Sequence, residues 1–136
     1  MKARILMALL ISILPVRAQD TPDSVLDRLS KVRVFAFGGV GFAGVTSKGQ
    51  ADYRIIFRRP SALNDFQKLL AFGTPEARLY ALAGIRAKDP KGFGKIAQSF
   101  RQSKEDVRTQ SGCIVQGEQF AVVLKRIEAG DYAAFQ

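Results

Sequence analysis

The chain contains no histidine, no tryptophan and a single cysteine, Cys113. Each absence removes a class of chemistry. Without histidine, neither a Ser-His-Asp nor a Cys-His catalytic arrangement can be assembled from one chain. Zinc sites of the usual His/Cys kind are equally out of reach. One cysteine cannot form an intrachain disulfide, so the fold must stand on its hydrophobic core. The lack of tryptophan weakens any proposal of sugar stacking. Paired carboxylates can hydrolyse a glycoside in principle, but most of the twelve Asp and Glu residues fall in helix caps or exposed turns. No catalytic residue, metal ligand or cofactor site is assigned from the sequence.

Long apolar runs are also scarce, and the one that stands out is N-terminal. Lys2 and Arg4 precede an apolar stretch from Ile5 to Leu14, broken only by Ser12. Pro15 closes it, and Val16-Arg17-Ala18 sets small side chains at the third and first positions before the cut, as a signal peptidase requires. At about ten residues the stretch is half the roughly 20 that a spanning helix needs. The expectation is a cleavable signal peptide over residues 1–18, with cleavage one residue either way fitting nearly as well. A retained anchor is the weaker reading. No cysteine lies near the cleavage point, so lipidation there is not indicated. The mature chain, 19–136, is then expected in the periplasm or outside the cell, with no transmembrane anchor.

Removing 18 of the 136 residues leaves 118, enough for one domain with one core. Hydrophobic content of 47% and charged content of 24% are ordinary globular values. Of the formal charge of +9, three units belong to Lys2, Arg4 and Arg17, which leaves the mature chain at +6. The charge is dispersed. Its densest cluster is Arg54, Arg58 and Arg59, with Lys68 nearby. Nucleic-acid binders concentrate charge on one face or arm, and exported proteins seldom meet nucleic acid. The first reading of the charge is a soluble basic surface, and contact with an anionic cell-wall polymer, lipid headgroup or acidic protein is the alternative.

Along the mature chain the pattern is mainly helical. Asp23 or Ser24 caps a short helix to Lys31, with Val25, Leu26 and Leu29 inward. Val32 to Phe37 reads as a buried extended segment or a tight lead into the glycine-rich Gly38–Gly44. Thr46 or Ser47 opens a helix carrying Tyr53, Ile56 and Phe57 on one face and stopped by Pro60. Alternation at Tyr53–Ile55 also permits a short strand there. Ser61 caps a helix with Leu63, Phe66, Leu69 and Leu70 inward, ending at Gly73. Thr74-Pro75-Glu76 opens the next, to about Ala87, which is apolar nearly all round and so central. Asp89-Pro90 starts another, with Phe93, Ile96, Ala97 and Phe100 at i, i+3, i+4 and i+7. Lys104–Gln110 is polar, a further turn or exposed loop, and Val107–Val115 is extended or irregular. A last helix, from about Glu118 to Ala129, repeats the same spacing through Phe120, Val123, Leu124 and Ile127, and Gly130 ends it.

The predicted fold class is mainly α: a compact antiparallel array of about five helices, with a glycine-rich turn and an irregular or extended segment near Cys113. Gly39-Val40-Gly41-Phe42-Ala43-Gly44 matches a dinucleotide fingerprint. Its context fails, because Tyr53–Phe57 leads into Arg58-Arg59-Pro60 where a strand ending in an acid should arrive. A packed glycine turn is expected instead, with Phe35, Phe37 and Phe42 in the core. Cys113 is expected to be buried between Val107 and Val115. An intermolecular disulfide or a reactive thiol is the alternative.

Ser61–Arg101, and Thr74 to Leu82 above all, resembles a helical-repeat unit of the HEAT class as a local packing style. Phe37–Gly44, Gly73-Thr74-Pro75 to Leu82, Ser111-Gly112-Cys113 and the closing Arg126–Tyr132 together resemble a group of short exported bacterial proteins. That resemblance implies a bacterial origin and a single compact domain, and it supplies no catalytic residues. The expected function is a non-enzymatic exported module that contacts another macromolecule through the basic surface at Arg54, Arg58 and Arg59. The competing expectations are a Cys113-dependent protein, reactive or linked as a dimer, and an envelope protein held at an anionic surface.

Overall fold

The computed structural model describes residues 23–136, so the predicted signal peptide lies outside the described residues. Six α-helices and two short antiparallel strand pairs follow in the order α1 (Ser24–Ser30), β1 (Gly39–Val40), β2 (Val45–Thr46), α2 (Lys48–Phe57), α3 (Ala62–Phe72), α4 (Pro75–Lys88), α5 (Pro90–Gln98), β3 (Asp106–Ser111), β4 (Ile114–Gln119) and α6 (Phe120–Ala129). Among the described residues no helix is long and apolar enough to cross a membrane.

Local chemistry sets the helix ends. Asp23 accepts hydrogen bonds from the backbone of Val25 and Leu26 and so caps α1. Ser47 caps α2 through Gln50 N–H. Thr74 does two things at once: its hydroxyl accepts from Ala77 N–H at the head of α4 and donates to the carbonyl of Val32. Its own N–H donates to Ser30, so the start of the central helix is tied to the end of α1. Asp89 ends α4 and, through Gly92 N–H, caps α5.

α4 is the axis. Leu79, Tyr80, Ala81, Leu82 and Ile85 are buried completely, and α1, α2, α3, α5 and α6 all pack against it. Gly84 is what lets α3 come close, because a Cβ there would overlap the buried Phe66 ring.

The strands cover one end of this helical body. Phe35 lies beside β3, donating to Arg108 C=O at 2.8 Å and accepting from Gln110 N–H at 3.1 Å. Tyr80 pins the neighbouring residue from below. Its hydroxyl accepts from Ala36 N–H and donates to Ala36 C=O, both at 2.9 Å. Around that clamp the rings of Phe35, Phe37, Tyr53, Tyr80 and Tyr132 form one aromatic cluster, with Phe35 and Tyr80 centroids 4.8 Å apart. Gly49 carries no side chain for a related reason, since a Cβ would lie 2.7 Å from the Tyr80 hydroxyl.

The mainly helical expectation holds, and the sequence-based helices fall close to the observed ones. Several local expectations do not hold. Lys104–Gln110 is neither a helical turn nor a loop throughout, because Asp106–Gln110 belongs to β3. Glu118 belongs to β4, which ends at Gln119, and α6 begins at Phe120. Ser61 makes no capping bond, its hydroxyl donating to Asp65 instead. The glycine stretch is a hairpin, β1 paired with β2, whose Gly41 and Gly44 take positive φ of 68° and 62° to turn the chain. Phe35 and Phe37 are core residues as expected. Phe42 is not: it rides on the hairpin loop, fully exposed. Cys113 is exposed as well, for it occupies the two-residue turn between β3 and β4.

Two fully buried tyrosines give a matched test of the clamp. Tyr80→Phe leaves Ala36 N–H without its partner and should cost about 1–3 kcal/mol. Tyr53→Phe removes a buried hydroxyl that has no partner among the described residues, and should be neutral or slightly stabilising. Urea unfolding of both variants reads the contrast, and equal losses would refute the clamp.

Candidate functional site

The structure divides the predicted arginine cluster. Arg59 turns back into the fold, where it pairs with Asp23 and approaches Asp65 at 3.5 Å. Asp23 is held down to about 2 chiefly by its hydrogen bond from Arg59, so both charges are spent on joining α1 to the head of α3. Arg54 and Arg58 remain outward, near the C-terminal end of α2. Arg58 is exposed, and Arg54 donates to the carbonyl of Phe135 at 3.4 Å.

Tertiary packing gives two cations of α4 partners on other elements. Lys88 Nζ lies 4.1 Å from the centroid of the Phe57 ring, one residue from Arg58. Arg86 lies against Gly130, at the end of α6. The C-terminal turn, Ala133–Phe135, joins the two sides, for Gln136 donates to Ala83 C=O of α4 while Phe135 accepts from Arg54 of α2. Arg54, Arg58 and Lys88 thus lie about the end of α2 and that turn, while Arg86, two residues from Lys88 and so on the other side of α4, faces α6. Among the described residues none of the four forms a salt bridge. Asp23, Asp27, Asp52, Asp65, Glu105, Glu118 and Glu128 are each matched with other cations. Asp89 adjoins Lys88 and Asp131 adjoins Gly130, and among the described residues neither forms a salt bridge.

Arg86 and Lys88 escaped the sequence reading because bases in the last turn of a helix already have a reason to be there, the helix dipole. A search for cations without an acid three or four residues away would have flagged Lys88 but not Arg86, which has Asp89 three residues on.

The strand end holds a different constellation. A cleft of about 130 Å³ is floored by Phe35, Phe37 and Tyr132 and rimmed by Thr109, Gln116, Glu118 and Arg126. Glu118 accepts from Arg126 and from the Thr109 hydroxyl. The Arg126 bond, with the smaller help of Thr109, holds its carboxyl below the ordinary carboxylate range. Held ionised, it serves as an acceptor that fastens β4 to α6, and no second carboxylate lines the cleft to share proton transfer with it. Burial pushes the Tyr132 hydroxyl above its usual range. Phe37, Ser111, Arg126 and Tyr132, from three segments that carried the sequence resemblance, meet at this cleft. A larger cleft of about 380 Å³ between α1 and α2 is walled by Leu29, Val32 and Ala51. Its Arg28 and Asp52 neutralise each other through two hydrogen bonds, at 2.6 and 3.1 Å.

Among the described residues no group of three or more acidic or thiol side chains is placed to hold a metal ion. Cys113 stands apart from both the basic surface and the cleft lining, on the hairpin tip. Comparison with known proteins finds no matching family model, no matching curated protein and no matching solved structure.

Because the Glu118 carboxyl is held low, its stabilisation is complete above the ordinary carboxylate range and is lost as pH falls through the lowered value. Glu118→Gln should therefore melt below the parent at pH 7, by about 1 kcal/mol. The gap should close on acidification toward pH 2. A gap that stays constant with pH would show that the charge is not the stabilising element.

Proposed function

We propose that this chain is an exported, non-enzymatic binding module that holds an anionic macromolecule against the surface of Arg54, Arg58 and Lys88. One observation carries the reading: among the described residues Arg54, Arg58 and Lys88, about the end of α2, have no acid paired to them, while seven acids are matched with other cations. Keeping them so close costs mutual repulsion, which an anionic partner relieves. Lys88 adds a second element, since its charge is held over an aromatic ring and so has a defined position. The +6 that remains after removal of Lys2, Arg4 and Arg17 supports approach from a distance, and the local cluster supplies the docking point. In the cell envelope such a module rests on an acidic polymer or an acidic protein. Arg59 drops out of the contact set.

The test compares two charge reversals of equal net charge. Arg58→Glu with Lys88→Glu should lower affinity for a polyanion probe, heparin, at least tenfold. Arg33→Glu with Lys104→Glu, away from the face, should change it less than threefold. Binding of the parent should weaken steadily with salt. Equal losses in the two double variants would reduce the effect to net charge and refute the localised site.

A further inference from the structure

The second hairpin carries an independent surface. On its inner side β3 is occupied, because Arg108 C=O and Gln110 N–H bond to Phe35. In the antiparallel pair Arg108 stands opposite Gly117, and Gln110 opposite Val115. Residues opposite each other in such a pair either bond to one another or both point outward. Since Arg108 and Gln110 point away from β4, Gly117 and Val115 turn their N–H and C=O groups to the outer edge of β4. Alternation adds Gln119. Among the described residues nothing pairs on that edge.

Natural edge strands are usually guarded by proline, lysine, a bulge or a covering segment. β4, with the sequence Ile-Val-Gln-Gly-Glu-Gln, has neither proline nor lysine, and its register with β3 runs unbroken over all six residues. Its one charge, Glu118, is turned in toward Arg126. Ile114 is 66% exposed, Val115 49%, and Val122, in the first turn of the helix that follows, 46%.

We infer that the outer edge of β4 pairs antiparallel with β4 of a second copy of this chain, about a two-fold axis at Gly117, to make a non-covalent dimer. The strand is self-complementary in that register. Gly117 meets Gly117 of the second copy with no side chains to collide, and Val115 meets Gln119. Glu118 meets Gln116, so no like charges stand opposite each other. The exposed Ile114 and Val115 of each copy then run alongside the segment that leads to Val122 of the other. Three of the seven large exposed apolar side chains are thereby covered together.

This register makes Cys113 a bystander. The two thiols would sit eight residues apart along paired strands, about 27 Å at ~3.4 Å per residue, far beyond disulfide reach. It also makes the dimer weak. A six-residue strand pair buries less than the roughly 1,200–2,000 Å² of a standard interface, and two positively charged copies repel. Added salt should therefore tighten the dimer, opposite to its effect on polyanion binding.

Sedimentation equilibrium of the full-length secreted protein in reductant, over micromolar to millimolar concentrations, tests the pairing. The expected result is a mass that rises from one chain toward two, unchanged by Cys113→Ser. Val115→Lys, at an exposed position, and Gly117→Pro, on the outer N–H, should each raise the dissociation constant at least tenfold. Circular dichroism checks that both remain folded, and Val115→Lys alone suffices if the proline variant does not. Amide exchange at Val115 and Gly117 should slow as concentration rises. A single-chain mass at every concentration would overturn the inference. So would a dimer untouched by Val115→Lys, or one seen only without reductant and lost with Cys113→Ser.

Discussion

The paired hydrogen bonds between the Tyr80 hydroxyl and Ala36 hold the two halves of this protein together. Tyr80 stands in the most buried helix, and Ala36 in the extended segment from which the strands are hung. A single hydroxyl meets both backbone groups of one residue, so the segment crosses the apolar core without leaving a donor or acceptor stranded. Everything on the strand side follows from it. Phe35 is placed to pair with β3, Gly38 accepts its direction toward β1 through its bond to Gln50, and Ser47 adds a second donor to the Ala36 carbonyl as α2 begins.

Charge is used in two ways. Most acids are consumed internally, joining α1 to α2 through Arg28 and Asp52, α1 to α3 through Arg59, α4 to the strand lead through Arg78 and Glu105, and β4 to α6 through Glu118 and Arg126. With few acids left over, surplus cations remain in many places, Arg54, Arg58 and Lys88 about the end of α2 among them. The basic face is therefore a consequence of economy elsewhere in the fold. The hairpin edge is the reverse case, a surface with almost no charge at all. The two surfaces are suited to opposite conditions, one weakened by salt and the other strengthened.

The helices were legible because their information is local. Asp89-Pro90 and Thr74-Pro75 announce a start within two residues, and Phe93, Ile96, Ala97 and Phe100 declare a face within eight. The hairpin of β3 and β4 was only half legible. Ser111-Gly112-Cys113 marked an irregular place, but a strand so largely exposed, with one apolar residue of β3 buried, shows no strong alternation to read. Phe42 and Cys113 misled for one shared reason. Apolar and thiol side chains are usually buried, and the rule fails at a tight turn, where the geometry of the backbone and not the preference of the side chain decides exposure.

By itself, the sequence determined the helical class, the position of the central helix and the exclusion of histidine and disulfide chemistry. Each of these depends on composition or on residues within two turns of one another. The tertiary structure alone decided which arginine is spent and which is available, that Lys88 reaches Phe57 beside Arg58, and that β4 is left with an open edge among the described residues. Those outcomes depend on pairs such as Arg59 with Asp23 and Lys88 with Phe57, more than thirty residues apart in the first case and in the second. No local pattern encodes such distances, because they are set by how whole helices pack.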